Sequence, residues 1–325
     1  MQCTRCDLCG ADDTEVLLAG DGWGQHLPVD IAMVRCRRCG LVYLNPRPAP
    51  EEIGAFYPPD YGPFQGAIED EPHAVMRWLR RRKLADRRRL VERYAGRRAG
   101  RVLDVGCSTG LFLHEMALAG WEAQGVELTP SAAAYARQRF GLDVFEGMLE
   151  EAPFADASFD TITFWDVLEH TYSPSATLAH VARLLKPGGL VAINIPNWDS
   201  PDRRLFGPYW VGYDPPRHLY VFTRKTLGAL LEQAGFAPLD WRCFMPSYFT
   251  FVYSVQYWLQ AKAPRWAGPV ARGLRFPGVR LPFEPLFALA NRLGKGGVIA
   301  VFARKAEAGR PQGSPLHITG RQSTH

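Results

Sequence analysis

The sequence predicts an α/β fold built on a mostly parallel sheet, and three observations support this prediction. Short apolar runs of strand length alternate with segments of helical spacing between residues 101 and 305. The first run, residues 102–105, leads into a glycine turn at 106–110 and then into a helix that ends near Gly120. An acid, Glu127, follows the second strand. We therefore expect a nucleotide site at the carboxyl ends of the strands.

The glycine turn and Glu127 are the two features that indicate a nucleotide ligand. Small residues let a cofactor approach the backbone, and the following helix offers N–H groups and the positive end of its dipole. Glu127 lies 23 residues after Asp104, where an acid can accept hydrogen bonds from both ribose hydroxyls. The spacing is D-x-G-x-x-x-G, which differs from the dinucleotide pattern G-x-G-x-x-G.

This pattern resembles motif I of the class I S-adenosylmethionine (SAM) methyltransferases, whose sheet is Rossmann-like with seven strands. The alternative is a generic βαβ turn of another Rossmann-like protein. Ser108 stands where the family usually has glycine, which would alter the backbone approach to the methionine end of SAM. The resemblance implies a set of cofactor-binding residues, namely Asp104, Gly106, Cys107, Ser108, Gly110 and Glu127.

The other strands follow in order along the chain. We place them at residues 122–126, 143–146, 159–164, 190–195, 239–244 and 298–304. Met148 follows the third strand, where the family often has an acid that holds the adenine amino group. We expect Met148 to lie against the adenine face instead. Asp166 follows the fourth strand and is a candidate for binding the amino group of SAM.

Residues 159–170 read F-D-x-I-x-x-x-D-V-L-E-H and resemble motif IV of small-molecule O-methyltransferases, including the ubiquinone-biosynthesis group. A hydroxyl nucleophile gains from a general base. Asp166, His170 and His218 are the candidates because they lie at strand tips or in the aromatic loop 197–220. The alternatives are a packing or capping imidazole at His170 and a loop-fixing hydrogen bond at His218.

Two matching C-x-x-C-G segments near the N-terminus predict a metal site. Four thiolates suit a tetrahedral, structural Zn²⁺ ion with no open position. The predicted ligands are Cys6, Cys9, Cys36 and Cys39. Cys3 competes for the site, and reduced cysteines without metal are the alternative. A hairpin around Asp21 and Gly22 would take up the long spacing between the two segments.

The pattern predicts four regions. Residues 1–48 form a zinc-ribbon-like module, which resembles the N-terminal module of many bacterial methyltransferases through C-x-x-C-G-L-V-Y-x-N-P-R-P. Residues 49–100 form a strap rich in proline and tyrosine, followed by a basic helix. Residues 101–305 form the SAM-binding domain, and 306–325 a disordered tail.

Residues 245–297 separate the sixth and seventh strands, which a short hairpin could join. The segment is rich in aromatic and basic residues, and we predict that it is a helical insert. Three alternatives stay open for it: a lid packed on the domain, a membrane-surface element and a homodimer face. In the membrane version Trp258 and Trp266 lie at the boundary, and Arg272 and Arg275 meet anionic groups.

Composition limits the partners. A net charge of +5 over 325 residues is too mild to indicate a polyanionic partner. The N-terminus lacks the apolar region of a signal peptide, and no run of 18 apolar residues exists, so we expect a cytoplasmic protein, with peripheral contact at the inner membrane face in the membrane version. Seven cysteines without an export signal indicate thiols or metal ligands.

The resemblance implies SAM as cofactor and a small-molecule or lipid-linked acceptor, with a sugar hydroxyl or a quinone-like phenol as examples. An RNA methyltransferase is the first alternative because of the zinc module and the basic stretch 77–101. Base-amine enzymes carry N/D-P-P-Y/F after the fourth strand, where this chain has W-D-V-L, so we do not expect nucleic acid. A non-catalytic interaction protein is the second alternative, and the complete cofactor pattern disfavours it.

Overall fold

The computed structural model describes residues 1–20, 30–57, 66–71, 73–244 and 247–306. Their strands, in chain order, are β1 (Thr14–Ala19), β2 (Ala32–Cys36), β3 (Val42–Leu44), β4 (Arg101–Val105), β5 (Glu122–Glu127), β6 (Asp143–Glu146), β7 (Phe159–Trp165), β8 (Leu185–Pro196), β9 (Tyr220–Val221), β10 (Phe236–Arg242) and β11 (Val298–Lys305). The predicted turn at Asp21 and Gly22, residues 58–65 of the strap, Met245 and residues 307–325 of the tail lie outside the described residues.

The helices cover both faces of the larger sheet and form the insert. They are α1 (Ala74–Ala95), α2 (Leu111–Leu118), α3 (Pro130–Phe140), α4 (Pro174–Leu184), α5 (Pro201–Phe206), α6 (Arg224–Gln233), α7 (Ser247–Lys262), α8 (Pro264–Arg275), α9 (Pro277–Arg280) and α10 (Glu284–Arg292). No helix among the described residues is both long and apolar enough to span a bilayer.

The larger sheet has seven strands in the order β10-β11-β8-β7-β4-β5-β6, which confirms the predicted Rossmann-like architecture. Strand β11 runs antiparallel to β10 and β8, and the other neighbours are parallel. The central strand β4 lies between β7 and β5. The chain therefore changes direction across the sheet at β4, and the turns after β4, β5 and β7 meet at one edge.

Two strands of the larger sheet differ by more than one residue from their predicted bounds. The sixth strand was expected at residues 239–244 but occupies Phe236–Arg242. Pro238 is tolerated because β10 is an edge strand whose register with β11 shifts between Pro238 and Asp240. The fifth strand begins at Leu185, because residues 186–189 bulge from the ladder between the pairs Phe159–Leu185 and Thr161–Leu190.

The smaller sheet joins the N-terminal module to the rest of the chain. Its order is β1-β2-β3-β9, and all pairs are antiparallel. Strand β9 was not predicted, because Tyr220 is the last residue of the aromatic loop 197–220 and only Val221 follows it. Tyr43 pairs with Tyr220 in the ladder, and both side chains are buried in a core shared with the larger sheet. The module is therefore not separately packed.

The basic helix predicted before the first strand is α1, and it lies on the larger sheet. Tyr94 stacks on Phe302 of β11 with ring centroids 4.3 Å apart, and Val91 is fully buried. Arg304 donates to the Tyr94 carbonyl at 2.6 Å. One face of this helix is therefore a packing surface.

The insert is helical, and α7 binds the loop between β8 and β9. Val211 N–H donates to Ser254 Oγ at 3.0 Å, and Tyr257 Oη donates to Asp214 Oδ1 at 3.2 Å. Tyr248, Val252 and Ala271 form a small core between α7 and α8. The loop itself contains α5, whose first turn is capped by Ser200.

Candidate cofactor and acceptor site

The turn after β4 has the backbone shape expected of a cofactor turn. Gly106 and Gly110 have φ values of 69° and 78°, in the region that favours glycine. Ser108 also adopts a positive φ, of 50°, although it replaces the usual glycine. The N–H groups of Gly106 and Cys107 both donate to the Val126 carbonyl, at 2.8 and 3.1 Å. The substitution at Ser108 therefore leaves the turn closed against β5.

Glu127 anchors this turn. Its Oε2 accepts a hydrogen bond from Ser108 N–H at 2.8 Å, and its Oε1 accepts one from Thr129 N–H at 2.8 Å. The side chain is largely buried at the carboxyl end of β5. A carboxylate has about four acceptor positions, so two remain for a ligand. Sequence reasoning assigned Glu127 to the ribose and did not foresee this anchoring contact.

Asp104 and Cys107 support the turn from the protein side. Thr163 Oγ1 donates to Asp104 Oδ1 at 2.5 Å, which links β4 to β7. Burial raises the pKa of Asp104 to about 7, although the Thr163 bond and the Arg87 charge act in the opposite direction. Cys107 packs on Gly125, where an added Cβ would lie 2.6 Å from its Sγ. The Cys107 side chain thus faces β5.

A second turn, after β7, contacts the first. Asp166 is exposed, has a φ of 58° and accepts a hydrogen bond from Asn194 Nδ2 at 2.6 Å. An added Cβ at Gly106 would lie 2.5 Å from Val167 Cγ2. Val167, the residue after Asp166, therefore packs against the cofactor turn at Gly106. Met148, 44% exposed, lies on the Glu127 side of the same edge, since Gly147 N–H donates to the Glu127 carbonyl at 3.1 Å.

Arg87 is a site residue that sequence reasoning missed. Its guanidinium lies 4.5 Å from the Trp165 ring centroid. Burial lowers the pKa of Arg87, while the charges of Asp166 and Asp104 raise it. The side chain therefore lies near both turns. The sequence predicts a basic helix here but does not distinguish Arg87 from its many basic neighbours.

Glu169, His170 and His218 form a cluster beyond the β7 turn. Their ligand-type atoms all lie within 4.8 Å of one another, and the two imidazole centroids are 4.7 Å apart. Burial, followed by the His218 charge, lowers the pKa of His170 to about 3. Burial and the charge of Asp166 raise the pKa of Glu169 well above its usual range. The predicted His170 and His218 are thus together, whereas Glu169 was not foreseen as a site residue.

Three further segments surround this cluster. Tyr57 Oη of the strap lies 3.1 Å from His170 Nδ1. Arg217 Nε donates to Asp214 Oδ2 at 2.8 Å, and the same carboxylate receives the α7 hydrogen bond from Tyr257. Strap, loop and insert therefore meet at the histidines. No single short sequence motif contains all of these residues, so only the fold brings them together.

The four predicted metal ligands lie together in the N-terminal module. Cys6 Sγ is 3.4 Å from Cys39 Sγ, Cys9 Sγ is 3.6 Å from Cys36 Sγ, and all four sulfurs lie within 4.8 Å. Tetrahedral Zn–S bonds of about 2.3 Å place sulfurs about 3.8 Å apart, so the residues fit zinc. Each segment closes in the same way, with Gly10 N–H donating to the Cys6 carbonyl and Gly40 N–H to that of Cys36. Exposed Cys3 is outside the group.

Comparisons with known proteins agree with this geometry. A family described as a methyltransferase domain matches residues 76–240. A Mycolicibacterium smegmatis protein named a probable SAM-dependent methyltransferase is 32% identical over 168 residues, which cover 50% of this chain and 60% of that one. A Bordetella bronchiseptica ubiquinone biosynthesis O-methyltransferase is 31% identical over 51% of this chain and 74% of its own length.

Among solved structures, the Burkholderia thailandensis 1,6-didemethyltoxoflavin N1-methyltransferase is 19% identical, covers 87% of this chain and 99% of its own, and has a TM-score of 0.48. The matched segment spans only 46–60% of the length of the first curated relatives.

Proposed function

This chain belongs to the methyltransferase domain family, and we propose that it transfers the methyl group of SAM to a hydroxyl of a small or lipid-linked acceptor. The observation that carries the proposal is the contact between two turns: the cofactor turn anchored by Glu127 touches the β7 turn, which continues into the histidine cluster. In our proposal, cofactor and acceptor groups therefore share one edge of the sheet. A sugar hydroxyl or a quinone-like phenol is the proposed acceptor class.

The residues present fit SAM. In our proposal the backbone of residues 106–110 approaches the methionine portion, and Glu127 accepts hydrogen bonds from the ribose hydroxyls. Met148 lies against the adenine. Asp166 binds the amino group, and Arg87 attracts the carboxylate of the methionine portion. Asp104 and Cys107 act by holding the turn, since both side chains are buried, Asp104 in β4 and Cys107 against Gly125 of β5.

The chemistry follows from this placement. A lone pair of the acceptor oxygen attacks the methyl carbon, the carbon–sulfur bond breaks, and its electrons remain on the sulfur of S-adenosylhomocysteine. The hydroxyl proton passes to a group of the site. Alignment of oxygen, carbon and sulfur supplies much of the acceleration. Asp166, His170 and His218 are the groups proposed to bind or deprotonate the hydroxyl.

We also propose that Cys6, Cys9, Cys36 and Cys39 hold one structural zinc ion. Four thiolates leave no open position for a substrate, so the ion would stabilise the folded state of the protein. The first C-x-x-C-G segment precedes β1, and the second joins β2 to β3. Strand β3 pairs with β9, which begins two residues after His218. Zinc would therefore stabilise the acceptor side of the site at a distance.

For the insert we propose that α7 is a lid element and that α8–α10 contact an anionic membrane surface. The outer helices carry exposed apolar side chains and basic residues, whereas residues 247–297 contain a single acid, Glu284. Exposed fractions reach 52% at Trp266, 65% at Phe276 and 67% at Leu281. Apolar side chains with a basic margin suit anionic lipid. This surface would present a lipid-linked acceptor to the site.

Two experiments test these proposals. Calorimetry should show SAM binding to the full chain, and labelled SAM should transfer its methyl group to a sugar or phenolic hydroxyl acceptor. A folded protein that binds no SAM contradicts the proposed function.

Co-sedimentation with anionic vesicles at low salt tests the membrane surface. Leu286→Glu should abolish binding, and Leu118→Glu, an exposed leucine on α2, is the matched control. Failure of the wild type to sediment contradicts the membrane version. Concentration-dependent dimers that Leu286→Glu dissociates would indicate a dimer face instead.

A further inference from the structure

Glu169 has a buried carboxylate without a neutralising partner among the described residues. Its side chain is 0% exposed, and neither oxygen has a hydrogen-bond partner there. Burying an unpaired carboxylate costs several kcal/mol or more, so buried acids are usually paired or bind metals. Protonation alone would leave a buried O–H donor with no acceptor at hydrogen-bond distance among the described residues. The carboxyl therefore requires another group.

The imidazoles of His170 and His218, beside Glu169, each have a ring nitrogen with a free lone pair. His218 Nδ1 lies 2.9 Å from the Gly212 carbonyl oxygen, and His170 Nδ1 lies 3.0 Å from the Arg217 carbonyl oxygen. A carbonyl only accepts hydrogen bonds, so Nδ1 carries the proton in both rings. Each Nε2 then keeps its lone pair. Metal-binding histidines show this arrangement, in which the second nitrogen donates to a carbonyl or carboxylate.

We propose that Glu169, His170 and His218 bind a divalent cation. Two imidazoles and one carboxylate suit borderline ions such as Mn²⁺, Fe²⁺, Co²⁺ or Zn²⁺, whereas Mg²⁺ and Ca²⁺ prefer oxygen ligands. One ring nitrogen of each histidine and a carboxylate oxygen of Glu169 lie within 4.8 Å of one another, so a small rearrangement brings the three side chains to a common ion. The carboxylates of Asp166 and Asp214 are close neighbours and add negative charge. This site is separate from the four cysteines.

Three protein ligands leave open positions at the ion, as in catalytic sites. Those positions would take oxygen atoms of the acceptor, and an acceptor with two adjacent oxygens, such as a catechol or a vicinal diol, would bind most tightly. The part concerning the acceptor rests on the proposed methyl transfer. A metal-bound hydroxyl loses its proton more easily, which would assign His170 and His218 the role of ligands rather than bases.

Manganese binding to the full chain is the test. The protein is treated with a chelator, its residual zinc is measured, and Mn²⁺ is titrated while electron paramagnetic resonance reports the free ion. Thiolate sites disfavour manganese, so a retained zinc site does not interfere. We expect one Mn²⁺ per chain. Glu169→Gln and His218→Gln should each weaken binding roughly tenfold or more. Glu232→Gln, a change at an exposed acid on α6, should leave it unchanged.

A readout on the wild type does not depend on whether variants fold. In protein whose four cysteines retain their zinc, added Co²⁺ should give the weak visible bands of nitrogen and oxygen ligation without thiolate charge-transfer absorption. Wild-type protein that takes up neither ion, or equal affinity in folded Glu169→Gln, would overturn the site. Full methyl transfer by metal-free protein would overturn its role toward the acceptor and leave the proposed function standing. Metal binding without any methyl transfer would contradict the proposed function alone.

Discussion

Removal of the Glu127 carboxylate should weaken the cofactor turn and the cofactor complex together. In Glu127→Ala two backbone N–H groups lose their acceptor. Thr129 is exposed, so water can replace the lost bond there. Ser108 is half-buried, and leaving its N–H unpaired costs about 1–3 kcal/mol. We expect the free energy of unfolding to fall by about that amount.

The same substitution should also weaken SAM binding. A hydrogen bond to a charged acceptor contributes about 1.5–3 kcal/mol, so loss of the ribose contact corresponds to a Kd roughly 10- to 150-fold higher. Urea titration measures the first effect, and calorimetry measures the second. Glu122→Ala, at the opposite end of β5 and exposed, is the matched control and should leave the Kd unchanged.

Two outcomes would refute this reasoning. An unchanged Kd in folded Glu127→Ala removes the ribose assignment. An unchanged unfolding free energy removes the anchoring role of the Ser108 bond. If the alanine variant does not fold, Glu127→Gln, which keeps one acceptor oxygen, is used in its place.

Three further predictions concern other parts of the site. Cys36→Ser should lose the single zinc of each chain in metal analysis while SAM binding largely survives; folded, zinc-free wild type would contradict the metal site. Asp104 has a folded pKa of about 7, above its unfolded value, so its stabilising contribution is present at low pH and is lost as pH rises through 7. The free energy of unfolding of Asp104→Asn should therefore rise relative to that of wild type between about pH 4 and pH 7, by at most about 4 kcal/mol in urea titrations, and then level off; parallel curves below pH 7 would contradict the shift. Gly106→Ala should destabilise the protein by about 2 kcal/mol or more and weaken SAM binding, because its Cβ would meet Val167. Adding Val167→Ala should restore part of the thermal stability, and no restoration would contradict the contact.

The sequence predicts the larger sheet because its strands alternate with helices and glycine turns that report local geometry. Local sequence patterns do not predict the elements that form only by pairing with residues far away in the chain. Pro238 belongs to β10 only because that strand lies at the edge, and β9 exists only because β3 pairs with it. The cofactor turn was predictable from its spacing, but its attachment to Glu127 was not, since that bond joins separate strands.

On the acceptor side of the site, too, some residues are predictable from the sequence and others are recognised only in the structure. His170 and His218 could be proposed from their positions after strands and in a loop. Glu169 is conspicuous only once its burial is known. Arg87 lies in a stretch where basic residues are so frequent that none is distinctive.

The pairing of β3 with β9 has a consequence for synthesis of the chain. The two cysteine segments leave the ribosome before β9, and their sheet lacks its fourth strand until residue 221 has been made. At 5–20 residues per second this interval lasts roughly 10–35 s. During that time the apolar face of β3 has no cover from the later chain. Nascent chains stalled before residue 220 should therefore be sensitive to protease and retained by chaperones, whatever the metal supply.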